Sequence, residues 1–81
     1  MEYLCDTNRH LICIPFSIPN LHLMAENLGI KRCWYHAGTK HPHYDIPKRR
    51  IEEITNKCKV ISSRDLLGII KAAVSLQSQK P

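Results

Sequence analysis

Between residues 36 and 50 the chain reads HAGTKHPHYDIPKRR. His36, His41, His43 and Asp45 stand there beside Lys40, Lys48, Arg49 and Arg50, and three chemistries suit such a set. The first is phosphate recognition. Lys48, Arg49 and Arg50 fall where a helix is expected to start, and unpaired N–H groups at a helix start attract anions. Basic residues there oppose the dipole's preference for acids, a penalty that a bound anion would reverse. The structural alternative is an Asp45 that simply caps the helix. The second chemistry is metal binding. His41, His43 and Asp45 alternate, so an extended backbone aims all three to one side. Imidazole and carboxylate ligands on one face suit zinc, manganese or iron with open positions, and Asp6 and His36 would complete the shell. The third is metal-free acid–base work, with His43 oriented by Asp45 or Asp6 exchanging a proton with a phosphoester. Arg49 or Arg50 would then hold the developing charge. His22, beside an apolar Leu21, reads as a structural histidine, and His10 receives no role.

The charge distribution supports the same region. Of 81 residues, 12 are Lys or Arg and 7 are Asp or Glu, a formal charge of +5. Lys31, Arg32, Lys40, Lys48, Arg49 and Arg50 face Asp45 alone between residues 31 and 50, while the rest of the chain balances. A regional excess points to an anionic partner, whereas a solvated basic face would be its structural alternative. Four cysteines (Cys5, Cys13, Cys33, Cys58) form no CxxC pair and sit in apolar segments, as reduced thiols packed like small hydrophobes do. With no signal-like opening and no apolar run near a membrane span, a cytoplasmic protein without membrane contact is expected. No P-loop, GxGxxG or nucleophile elbow occurs, and three glycines are too few for a phosphate cradle.

The positioning elements follow from periodicity. Strands are expected at about residues 2–6, 31–36 and 59–62. The stretch LICIPF is compatible with an extra edge strand at 11–16, because Pro15 has no N–H for a ladder. Ser17, Pro19 and Gly29 bracket a helix whose Leu21, Met24, Ala25 and Leu28 share a face. A second helix is expected from Asp45 to Cys58. A third opens on a capping box of Ser62 with Asp65. The expected fold class is α/β, a small three-stranded, mainly parallel sheet with three helices (βαβαβα), in one domain over residues 1–76 with a flexible tail at 77–81. Right-handed crossovers would gather the strands' carboxyl ends on one edge, bringing Asp6, His36, Ser62, Ser63 and Arg64 beside the quoted stretch.

LHLMAENLGIKRCWYH, then HYDIPKRR, then KVISSRDL resemble the small bacterial and phage family catalogued as domain of unknown function 4031. The matching features are a strand ending in acid (Tyr3-Leu4-Cys5-Asp6), a Leu21-His22 pair, a strand with Trp34, and His43-Tyr44-Asp45 before Lys48, Arg49 and Arg50. Many members carry two successive acids where this chain has Asp6 alone, which speaks against a two-metal centre. The resemblance covers roughly residues 3 to 70 and implies the fold and the site, but no reaction.

The reading is therefore a basic module recognising a phosphate-containing ligand, a nucleotide or nucleic acid, at the carboxyl edge of the sheet. Tyr44, Asp45, Lys48, Arg49, Arg50, Arg64 and Ser62 would bind the ligand, with Trp34, Tyr35 or Tyr44 stacking bases. The alternative is a phosphoester hydrolase or nuclease with His43, Asp6 and His36 as catalytic groups. No cofactor is expected, or else a divalent metal on His41, His43, Asp45 and Asp6. A second alternative is a phage-type interaction protein docking on an acidic host protein.

Overall fold

The computed structural model describes residues 1–36 and 40–78. Five strands form one mixed sheet: β1 (Glu2–Cys5), β2 (His10–Ile14), β3 (Tyr35–His36), β4 (His43–Asp45) and β5 (Lys59–Val60), in the order β3-β4-β2-β1-β5. Helix α1 (Ile18–Leu28) follows β2, the short α2 (Ile51–Thr55) precedes β5, and α3 (Ser63–Ser78) follows it.

This architecture corrects the three-stranded, mainly parallel expectation. Only β1 and β5 run parallel; β1–β2, β2–β4 and β3–β4 are antiparallel. The segment read as an edge strand is central, lying between β1 and β4. The proline argument fails because β2 ends at Ile14, so Pro15 lies beyond the ladder and no donor is missed there. His43-Tyr44-Asp45, expected in a loop before a capped helix, is a strand. The strand expected at 31–36 shrinks to Tyr35–His36, behind a 3-10 turn at Arg32–Trp34, and pairs with β4. The second helix is also cut down: Lys48–Arg50 form a 3-10 turn and α2 spans five residues. Ala37, Gly38 and Thr39 of the opening stretch lie outside the described residues. So does the end of the expected tail, since α3 continues to Ser78 and residues 79–81 are not described.

Register decides which side chains meet. Side chains alternate across a strand, so residues paired across the ladder share a face. Val60, Cys5, Leu11, Tyr44 and Tyr35 form one row. That face packs on α1, whose His22 ring meets Tyr35 and Tyr44. Leu4 and Ile12 lie on the other face together with His10, Asp45, His43 and His36, and Leu66 and Ile70 of α3 help to cover it. Two apolar layers result, both fully closed at the centre: Leu11, Ile12, Leu21, Met24 and Ile54 have no exposed surface.

The helix signals read from sequence hold locally. Ser17 Oγ accepts the Asn20 N–H at 3.1 Å, and Gly29 takes φ +71° to close α1 with the Ile30 N–H on Ala25. Ser62 Oγ accepts the Asp65 N–H at the start of α3. None of the described helices is long and apolar enough to cross a membrane.

Candidate functional site

Because β4 is antiparallel to β2 and β2 to β1, the carboxyl ends of β1, β4 and β5 still share one edge. Asp6, just past β1, is buried there, with its side chain wholly covered. Its Oδ1 accepts the N–H groups of Asn8 (2.9 Å) and His10 (3.0 Å). Its Oδ2 accepts the Ser63 hydroxyl (2.6 Å) and His10 Nδ1 (2.8 Å). Burial alone would raise this carboxyl's pKa, but the hydrogen bonds from Ser63, the His10 ring and the two backbone donors outweigh it, leaving the pKa below its usual value. Four donors fill the carboxylate's acceptor capacity. Asp6 therefore orients other groups and has no lone pair left for a ligand. The turn that permits this places Arg9 at φ +67°, a strained position for a side chain with a Cβ, locked by the Ile46 N–H on Arg9's carbonyl.

On the face toward α3, His10 pairs across the ladder with Asp45, and His36 with His43. The His10 and His43 rings meet edge-on with centroids 5.0 Å apart, and His36 stacks on His43 at 5.2 Å. His43 Nδ1 lies 2.7 Å from the His41 carbonyl, while its Nε2 lies 3.3 Å from Asp45 Oδ1. His36 Nε2 holds the other Asp45 oxygen at 2.8 Å. One ligand-type atom from each of His10, His43 and Asp45 falls within 4.8 Å of the others. Beside them a cleft of about 260 Å³ runs between the sheet and α3, lined by His10, His41, His43, Ser63, Leu66 and Ile70, among others.

The structure thus brings His43, Asp45 and His36 together and links Asp6 to them through His10. His10 is the residue that sequence reasoning passed over, and Ser63, expected at this edge without a stated role, is the one that donates to Asp6. Of the expected metal set, His41 contributes its carbonyl to His43 and Asp6 its carboxylate to His10. Tyr44, expected to bind ligand, is a core residue: it is fully buried on the opposite face with its hydroxyl 2.7 Å from His22 Nδ1. Burial first, and then Arg32, lower the pKa of His22, in keeping with its structural role. Ser62 is occupied in capping α3, and Arg64 is exposed one residue beyond Ser63.

The basic turn divides in function. Arg50 reaches back to the end of α1, donating to the carbonyls of Leu28 (2.6 Å) and Gly29 (2.8 Å), and grips both Glu53 oxygens. Its donors are spent on the fold, so it is withdrawn from the phosphate set. The helix-start anion site falls with it, because Lys48–Arg50 form a 3-10 turn ahead of a five-residue α2, and the capping alternative falls too, because Asp45 lies in β4. Lys31, Lys48 and Arg49 form no ion pair among the described residues. With Arg9, they line an open groove of about 640 Å³ that also contains Trp34, half-buried, and Cys33. All four cysteines are free: Cys5 and Cys13 are buried, Cys58 is half-buried, and Cys33 is exposed.

No curated protein and no solved structure matches the chain. The family model described as protein of unknown function (DUF4031) matches residues 8–73, a span from the β1–β2 turn through most of α3 that contains His10, His43, Asp45 and Ser63. The chain belongs to that family.

Proposed function

We propose that the protein recognises a phosphate-containing ligand, a nucleotide or a nucleic-acid strand, in the groove between the end of α1 and the Lys48–Arg50 turn. The observation that carries this reading is the gathering of Lys31, Lys48 and Arg49 around Trp34 with no acidic partner among the described residues. Cations left unpaired beside a half-exposed indole suit phosphates flanking a stacked base. Trp34 is the chain's one tryptophan, so its fluorescence reports the groove directly. Titrating it with a short single-stranded oligonucleotide should give binding that weakens about 20-fold between 50 and 200 mM salt, as about three phosphate contacts require. Lys48→Ala and Arg49→Ala should each flatten that slope. Salt-independent binding, or a slope unchanged in both variants, would refute the reading.

A second reading, phosphoester hydrolysis at the same edge, draws on the Asp6–His10 pair beside His43. An imidazole held by a buried carboxylate is oriented as a general base requires. Turnover that disappears in His43→Ala while oligonucleotide affinity persists would favour it.

A further inference from the structure

We infer that His10, His43 and Asp45 hold a divalent first-row transition-metal ion, with Asp6, the His41 carbonyl and His36 as the groups that orient the three ligands. The argument is one of proton placement. A carbonyl only accepts, so the 2.7 Å contact to His41 requires His43 Nδ1 to carry its proton. The Asp6 carboxylate, its pKa held low by its hydrogen bonds, also only accepts, so His10 Nδ1 must likewise donate to it at 2.8 Å. With Nδ1 of both rings turned to these acceptors, Nε2 is the atom each ring has left to offer a metal. Asp45 adds a carboxylate whose Oδ2 is fixed by His36 at 2.8 Å, and its Oδ1 lies 3.3 Å from the Nε2 of His43. Two imidazoles and a carboxylate, each steadied by a neighbour, are thereby gathered with one ligand atom apiece inside 4.8 Å.

The spacing suits such an ion. Ligand atoms within 4.8 Å of one another need only modest closure to reach the separation of about 3.4 Å implied by metal bonds of 2.0–2.1 Å. Two imidazoles and one carboxylate form a donor set for zinc and its neighbours rather than for magnesium or calcium. Each ligand has its own supporting partner from a different segment, the arrangement that fixes tautomer and ring direction in metal centres. The ligands come from two strands, and three protein donors leave coordination positions for water or substrate. The adjoining cleft supplies room for these, walled by Leu66 and Ile70. This centre is independent of the basic groove, and either could fail alone.

The test uses the full chain stripped of metal with chelator. Co²⁺ should bind at one equivalent with visible bands of nitrogen–oxygen coordination, and Zn²⁺ should displace it. Zn²⁺ should also move the ring resonances of His10 and His43 in the wild-type protein while leaving those of His22 in place. His10→Ala and His43→Ala should lose at least about tenfold in affinity. Asp6→Asn should lose about 10- to 100-fold, as loss of an orienting carboxylate does, whereas Glu26→Gln, an exposed carboxylate of α1, should leave the metal affinity unchanged. The inference is overturned if the folded wild type shows no saturable binding, or if a thiolate-to-cobalt band reveals cysteine ligands. It is equally overturned if His43 proves protonated on both nitrogens and unmoved by Zn²⁺, since an imidazolium–Asp45 pair then accounts for the cluster.

Discussion

The histidine face and the basic groove border the same edge of the sheet, yet they are built in opposite ways. On the histidine face each of the three side chains is held by a neighbour before any ligand arrives: Asp6 holds His10, the His41 carbonyl holds His43, and His36 holds Asp45. In the groove, Lys31, Lys48 and Arg49 have no ion-pair partner among the described residues. Preorganised groups select by geometry, whereas solvated cations select by charge and weaken with salt. A high density of basic residues was the louder signal in the sequence, but the positioned site lies among residues whose charge nearly cancels.

The contrast predicts its largest effect at Asp6. Replacing it with Ala removes a buried carboxylate and leaves the donors of Asn8, His10 and Ser63 without their acceptor. Hydrogen bonds to a charged group contribute about 1.5–3 kcal/mol each and act here as one network, so a loss of about 3 kcal/mol is expected in urea unfolding. Lys48→Ala should stay within about 0.5 kcal/mol. Comparable losses from the two variants would erase the distinction between a built site and a charged surface.

Arg50 sharpens the comparison, because it sits in the groove but belongs to the fold. Arg50→Ala should lower Tm by about 5–10 °C through the freed α1 carbonyls and the lost Glu53 pair, against about 2 °C or less for Arg49→Ala. The pair also sets a pH window. The Arg50 hydrogen bond, reinforced by Lys57 and only partly opposed by desolvation, holds Glu53 at about 2 against its ordinary 4.5. A carboxyl whose pKa is lower in the folded state stabilises fully above its unfolded value and stops doing so as pH falls through the folded one. The Tm gap between wild type and Arg50→Ala should therefore be constant near neutrality and narrow between about pH 4.5 and 2. A gap that stays constant down to pH 2 would mean that Glu53 has no part in it.

What was legible in the sequence was local. Ser17, Pro19 and Gly29 bound α1, and Ser62 caps α3, because caps act within a few residues of themselves. The alternation of His43 and Asp45 also survives, since a three-residue strand obeys the same period as an extended loop. What was not legible depends on pairing. His10 gains its role from a neighbour four residues back and a strand 35 residues on, and nothing in its own segment signals either. Arg50 looked free because its acceptors, the carbonyls of Leu28 and Gly29, lie more than twenty residues earlier and carry no side-chain signature. The sheet order failed for the same reason: βαβ alternation was counted from elements, while β4 was too short to be counted.

The smallest expected effect uses the cysteines as reporters of the two regions. Cys33 is exposed and lines the groove. Cys5 and Cys13 are buried, and burial pushes the Cys13 thiol up to about 11. Burial, helped by contact with Cys5, pushes the Cys58 thiol up to about 12. Only thiolates react readily, so at neutral pH a disulfide reagent should label one cysteine quickly and the other three only after unfolding. An oligonucleotide seated in the groove should slow labelling of Cys33 by about twofold or more through steric cover, an effect that fades as salt rises. Zn²⁺, held on the other face of the sheet, should leave that rate unchanged. If Zn²⁺ protects Cys33 as well as the oligonucleotide does, the two regions are not separate sites, and the ion is held in the groove.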